Sequence, residues 1–458
     1  MSRPRPHPEQ SVSNLPHRGD GLRSVERLTE KLETSSLDDR TYRVVRLPNQ
    51  LEALLVHDPD TDKASAAMDV NTGSFCDEDD IPGMAHAVEH VCNSPPLDPF
   101  SRPVHSDLLW RSREAGTRTS YLEPLADLLS AAKLLFMGTK KYPAENAYSQ
   151  YLASNSGSSN AYTAPTHTNY YFDVTAKPSN DEEASETNPS PLRGGLDRFA
   201  QFFVEPLFLE NTLDRELRAV DSENKKNLQS DQWRLNQLEK SQSNPKHPYC
   251  HFSTGNLVSL KERPEARGIN VRDKFIEFYD QQYSANRMKL CVLGREPLDV
   301  LESWVSEFFS GVKDKDLQPN RWEDEVPLPP SYLGFQCFAK PVMDSRELNI
   351  LFPFIDEEDL YETQPSRYIS HLIGHEGPGS IMAYIKSKGW ANGLSAGAYS
   401  ICAGSPGLFD CQIRLTEEVC CGLAVFSSPS PLLILSFSLS YLSRFIVKSL
   451  TRRHRPGP

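Results

Sequence analysis

The chain has 458 residues, a formal net charge of −13 and 38% hydrophobic residues, enough for two or three domains with cores of their own. The acidic balance excludes an overall basic footprint for nucleic acid. Nine scattered cysteines without a C-x-x-C pair read as reduced thiols.

In chain order, residues 1–24 are rich in proline and polar residues, lack an apolar h-region and read as a disordered extension. No secretory signal is expected and the chain is read as cytoplasmic; Arg3, Arg5 and Arg18 give only a weak hint of organelle import. The segment 25–312 reads as an α/β domain, with strands such as Ser65 to Asn71, Tyr170 to Thr175 and Met288 to Leu293 alternating with helices. Asp79-Asp80-Ile81-Pro82 carries the signature of a helix start, an acidic cap with proline in the first turn.

That helix would carry His86-Ala87-Val88-Glu89-His90, an H-x-x-E-H motif. Positions i, i+3 and i+4 share one helical face, so both histidines and Glu89 can address a single point. Two neutral imidazoles supply half of a tetrahedral zinc site, and a carboxylate beside a zinc-activated water can take its proton. The bare motif is also compatible with a solvated helix carrying two stray histidines. Pro95-Pro96 is expected to end the helix within about a turn of His90.

Further along, Ser156-Gly157-Ser158-Ser159-Asn160 reads by composition as a flexible turn before a strand. Residues 177–195, with Asp181-Glu182-Glu183, read as an acidic surface loop. Leu213 to Lys240 is a long polar helical stretch opened by Asn211 or Thr212. Glu216 and Glu223 lie seven residues apart in it, close to the roughly 7.2 residues of two turns, and so share a face. One can ligate a metal while the other supports it from behind; acidic residues are equally common on exposed helices. Residues 313–333, with Pro319, Pro327, Pro329 and Pro330, read as a linker. The glycines between Gly374 and Gly379 make no Walker or G-x-G-x-x-G pattern, so no nucleotide site is expected. The apolar run Pro431 to Leu442 is too short and too serine-rich for a span of about 20 residues, and no membrane contact is expected.

The blocks Gly83-Met84-Ala85-His86-Ala87-Val88-Glu89-His90 and Leu134-Leu135-Phe136-Met137-Gly138-Thr139-Lys140-Lys141-Tyr142-Pro143 resemble the insulin-degrading-enzyme branch of the inverted-motif metallopeptidases. The likeness continues through Asn160-Ala161-Tyr162-Thr163, Asp214-Arg215-Glu216, Asp221-Ser222-Glu223-Asn224 and His371-Leu372-Ile373-Gly374-His375-Glu376. The resemblance implies repeated α/β (α+β sandwich) domains, each a mostly antiparallel sheet packed with helices, the first complete over 25–312 and the second truncated over 334–418. It implies one Zn2+ per chain held by His86, His90 and Glu223, Glu89 as general base and Glu216 as a supporting acid. It gives Asn160 and Ala161 a place at a sheet edge where an extended peptide adds as a strand. The implied function is a zinc metalloendopeptidase acting on short unfolded peptides, dependent on a C-terminal half outside this chain. The other reading is a catalytically silent member serving as a structural or peptide-holding protein. A tail-tethered membrane form is a third. Oligomeric state stays open.

Two segments depart from the family pattern. Residues 91–133 separate His90 from the expected Leu134, and residues 419–458 follow Glu418 as an unrelated tail. Both begin Val-Cys, at Val91-Cys92 and Val419-Cys420, which can be written GT-N-TG in the manner of a splice donor. Lys133 can end in the AG of an acceptor. The reading is that both are translated introns; the other is a lineage-specific loop and tail.

Overall fold

A computed structural model describes residues 24–90 and 138–417, apart from 145, 179–183, 186–187 and 344. The N-terminal extension to residue 23, the segment 91–133, the block Leu134 to Met137 and the tail 419–458 lie outside the described residues.

Seven strands form one sheet: β1 (Glu26–Thr29), β2 (Thr41–Arg46), β3 (Glu52–His57), β4 (Lys63–Val70), β5 (Ser158–Thr163), β6 (Thr168–Thr175) and β7 (Met288–Gly294). Their order is β1-β2-β3-β7-β4-β6-β5, antiparallel throughout except for the parallel pair β3–β7. Strand periodicity explains the single core face. On β4 the alternate residues Ala64, Ala66, Met68 and Val70 are buried, on β6 Tyr170, Phe172 and Val174, and on β7 Met288, Leu290 and Val292.

Two helices close that face, α3 (Pro191–Val204) and α7 (Leu298–Phe309). Leu192, Leu196, Phe199 and Phe203 recur at helical spacing on α3 and are all buried, as are Leu301, Val305 and Phe309 on α7. Helix α3 starts inside the loop expected over 177–195. Ser190 caps it by accepting the Leu192 N–H at 3.2 Å, and Pro191 occupies the first turn, where its missing N–H costs nothing.

On β5 pack α1 (Met84–His90) and α2 (Ala147–Ser154); α1 also meets α4 (Glu210–Asn227) and α6 (Val271–Gln282), and α5 (Asp231–Ser241) follows α4 in the chain. The single helix expected over Leu213 to Lys240 is therefore two, α4 and α5, interrupted at Leu228-Gln229-Ser230. Helix α4 opens earlier than expected, at Glu210, and Thr212 donates its hydroxyl back to the Leu209 carbonyl at 2.7 Å.

A second, three-stranded antiparallel sheet has the order β8-β10-β9, from β8 (Glu347–Phe354), β9 (Ala391–Tyr399) and β10 (Gly407–Leu415). Helices α8 (Pro365–Gly374) and α9 (Ile381–Ser387) precede β9. The glycine-rich stretch Gly374 to Gly379 joins them, and Ser380 caps α9 by accepting the Ala383 N–H at 3.0 Å. The proline-rich residues 313–333 are a strap and not a free tether. Asn320 donates to the Asn71 carbonyl at 2.8 Å, and Trp322 and Leu328 pack on a cluster of Phe75, Tyr249, Ile401, Cys402 and Leu408 that joins the two sheets' surroundings. Among the described residues no helix is long and apolar enough to cross a membrane, and the cysteines are free thiols.

Candidate metal centre

Helix α1 begins at Met84, later than the Asp79-Asp80-Ile81-Pro82 signature predicts. Gly83 takes φ +94°, a left-handed conformation, so the chain cannot run as a helix from Asp79. The N–H groups at the true start are taken by Asp77, whose Oδ2 accepts from Gly83 and Oδ1 from Ala85, each at 2.7 Å. Burial pushes the Asp77 carboxyl up to about 7, outweighing these backbone bonds, which favour its charged form. All seven residues of α1 are buried, including His86, Glu89 and His90, and the stray-histidine alternative of a solvated helix is not what the structure shows.

The site forms where α1 meets α4. One ligand atom each from His86, His90 and Glu223 falls within 4.8 Å of the others. Glu223 Oε2 lies 3.3 Å from His90 Nε2 and 3.7 Å from His86 Nε2, and the two imidazole Nε2 atoms are 3.1 Å apart. The His86 ring orientation is set by the Thr254 carbonyl, 2.6 Å from Nδ1. A carbonyl only accepts, so Nδ1 carries the proton and Nε2 keeps its lone pair for the cluster. Burial pushes the Glu223 carboxyl up, but the contact with His90 and the charges of His86 and His90 outweigh it and hold the group below its usual value. Glu223 Oε2 nonetheless completes no hydrogen bond. Two imidazole nitrogens and an unsatisfied buried carboxylate oxygen converging on one point are a donor set that fits a divalent cation such as zinc.

Glu89 is 1% exposed and not among the three clustered ligands. Its Oε2 accepts from Thr163 Oγ1 at 2.6 Å. Burial pushes its carboxyl up to about 7, against the pull of His86 and the Thr163 bond, with Glu223 adding to the rise. Glu216 is buried two turns before Glu223 on α4, with Oε1 accepting from Arg215 Nε at 3.0 Å. It too stands outside the three-residue cluster.

Asn160 and Ala161 lie on β5, the outer strand of the seven-stranded sheet, so the segment read by composition as a flexible turn is largely strand. Ala161 is buried, and its N–H donates to Asn160 Oδ1 at 2.9 Å. Thr163, three residues after Asn160 on the same strand, is the residue that meets Glu89. Sequence reasoning missed Asp77, Thr163 and Thr254. Thr163 lay inside a quoted block, but nothing local marks a threonine that will meet a carboxylate 74 positions away.

Comparison with known proteins decides the family. The profile described as Insulinase (Peptidase family M16) matches residues 52–94 and 121–246, and that described as Peptidase M16 inactive domain matches 270–424. The A-factor-processing enzyme of Saccharomyces cerevisiae is 42% identical over 382 residues, 83% of this chain and 32% of its own length. The chain belongs to the insulysin/pitrilysin peptidase family. The insulin-degrading enzyme of Homo sapiens is 41% identical over 395 residues, 86% of this chain and 33% of its own. Crystalline pitrilysin superposes with a TM-score of 0.68 at 27% identity, over 88% of this chain and 36% of pitrilysin. A Helicobacter pylori protease shares the fold alone, with a TM-score of 0.55 at 14% identity. The chain thus spans about a third of the length of the curated relatives it matches. The Insulinase profile leaves only 95–120 unmatched and covers both ends of the segment 91–133, and the inactive-domain profile runs on to 424, six residues past Glu418.

Proposed function

We propose that this chain carries the zinc centre of a metalloendopeptidase that hydrolyses short unfolded peptides. The observation that carries the reading is the convergence of His86, His90 and Glu223 within 4.8 Å, with the buried Glu89 one residue before His90. His86 Nε2, His90 Nε2 and a Glu223 oxygen would hold the ion. Zinc bound there supplies Lewis acidity and lowers the pKa of water. Glu89 accepts a proton from the attacking water and returns it to the leaving amide nitrogen, the two transfers a buried carboxylate beside the bound water can make. Glu216, buried on the same helix as Glu223, supports that helix from behind the ligand.

Peptide would bind along β5. Its outer edge faces no other strand among the described residues, and a substrate strand added at Asn160 and Ala161 would bond through its backbone, with little demand on sequence. Residues beyond this chain, corresponding to the further length of the relatives, would complete the substrate chamber, since catalysis depends on holding the scissile bond in place.

The test compares the chain with Glu89→Gln, measuring zinc by atomic absorption and cleavage of a quenched peptide, with a C-terminal half supplied. The expected result is full zinc content and lost cleavage in the variant. Undiminished turnover would refute Glu89 as the base, and a zinc-free wild-type chain would refute the metal centre.

A further inference from the structure

We infer that the loop Ser253 to Leu257 is the buckle of the metal centre: it fixes the tautomer of His86 and the separation of the two ligand-bearing helices, with Gly255 as its positioning residue. The inference rests on the zinc reading above and extends it to residues outside the motif.

Three ties reach this short loop, and a fourth lies just past it. Thr254 supplies the carbonyl that holds the His86 Nδ1 proton at 2.6 Å. Leu257 donates its N–H to Asp221 Oδ1 at 3.2 Å, and Asp221 stands two residues before Glu223 on α4. Lys240, buried near the end of α5, donates to Ser253 Oγ at 3.0 Å. Just beyond the loop, Ser259 Oγ donates to the Pro82 carbonyl at 3.0 Å, at the entry to α1. The loop is therefore bonded to a ligand side chain on α1, and Ser259 just past it to the backbone before α1. The loop is also bonded to the flank of the third ligand on α4.

Gly255 sits where these ties meet. It takes φ +76° and faces Gly83, itself at φ +94°. A Cβ on Gly83 would fall 2.3 Å from Gly255 Cα, and a Cβ on Gly255 would fall 2.6 Å from Leu260 Cδ1 and 3.1 Å from Gly83 Cα. Backbone meets backbone at a separation that only two glycines allow, and both conformations disfavour any L side chain. Thr254 precedes this contact by one residue, so the close approach delivers its carbonyl to His86. A side chain at 255 would push the loop off the start of α1 and draw the carbonyl away. Nε2 would then lose its unique claim on the lone pair, and α1 would lose its link through Leu257 to the Glu223 helix.

The experiment uses the full chain, with Gly255→Ala and Asp221→Ala as variants; the second removes the tie to α4 without touching the glycine contact. Two readouts are taken beside the unfolding midpoint: 15N shifts of labelled histidines in the metal-free chain, and Co2+ affinity followed by its d–d absorption. We expect His86 in the Nδ1–H tautomer in wild type and a tautomer mixture in Gly255→Ala. Cobalt affinity is expected to fall about 10–100-fold in Gly255→Ala and less in Asp221→Ala, the range typical of lost partners behind metal ligands. Should Gly255→Ala fail to fold, the affinity of Asp221→Ala decides. Wild-type affinity and tautomer in the folded variants would overturn the buckle. A wild-type chain that binds no cobalt overturns the zinc reading instead, and the tautomer measurement still decides the role of Gly255.

Discussion

Thr163 Oγ1 donates to Glu89 Oε2 at 2.6 Å, joining the outer strand of the sheet to the helix that bears the H-x-x-E-H motif. The bond orients the group in a buried setting where a freely turning carboxylate would be costly. With Glu89 as base, Thr163→Val removes the donor at nearly constant shape. Turnover is expected to fall about 10-fold, equivalent to about 1.4 kcal/mol, with zinc content unchanged. Thr163→Ser should restore most of the rate. The check is kcat for the quenched peptide beside metal analysis; equal kcat in wild type and Thr163→Val would remove any positioning role for the threonine.

A second prediction concerns pH and lies away from the metal. Asp410 on β10 is partly buried, and its Oδ1 has no hydrogen-bond partner among the described residues. Burial, and then the charges of Glu239 and Glu347, push its carboxyl up to about 6 from an ordinary 3.8. The folded chain therefore holds this proton more tightly than the unfolded chain. Its contribution to stability is fully present below about pH 4 and is lost as pH rises through about 6. Asp410→Asn should raise stability at pH 7.5 by about 1–2 kcal/mol after allowance for solvent screening, and change it little at pH 4. Urea unfolding at the two pH values measures the difference; an equal effect at both would show that the carboxylate charge is not the cause.

Glu239 ties α5 to the second sheet. Its Oε1 accepts from the Tyr249 hydroxyl and from the Tyr399 hydroxyl, each at 2.7 Å, and Tyr399 ends β9. Tyr399→Phe deletes the only one of these bonds that reaches the second sheet, at an expected cost of about 1–2 kcal/mol for a bond to a charged acceptor. Limited proteolysis should show faster cutting within residues 334–417 and unchanged cutting within the first sheet. Uniformly faster cutting would mean that the bond supports the whole molecule and not the contact between the two parts.

The parts of this fold that were legible in the sequence are those written in local periodicity. The strand expected over Ser65 to Asn71 is β4, Lys63–Val70, and the spacing of His86, Glu89 and His90 marked one helical face. What escaped is tertiary. The cap signature at Asp79-Asp80-Ile81-Pro82 was locally sound, but the left-handed Gly83 and the reach of Asp77 moved the helix start to Met84. The break between α4 and α5 has no glycine or proline to announce it, and Ser230 before Asp231 was a signal passed over within a polar run. The strap over 313–333 looked like a linker because its bonds, such as Asn320 to Asn71, join residues about 250 positions apart, beyond any local pattern.

The segment 91–133 supplies the last prediction. Met84 and Val88 are fully buried on α1, and Gly138 has φ +128°, a value that L side chains rarely adopt. Joining His90 directly to Leu134 would set Met84, Val88 and Leu135 at i, i+4 and i+8, one continuous apolar stripe that reaches Gly138 in the position of a C-terminal cap. A chain lacking 91–133 is therefore expected to keep the His86, His90 and Glu223 site and to be more stable by about 2–3 kcal/mol, the gain from burying one more large apolar side chain on that helix. Its unfolding midpoint and cobalt affinity, measured beside those of the full chain, test the structural half of the argument; a lower midpoint would show that the segment packs as part of the fold. The splice reading is tested separately by sequencing the mature message from codon 90 to codon 134 and across codons 418 and 419. A processed message that retains both segments sinks it, whereas their removal would join His90 to the leucine that continues its helical face.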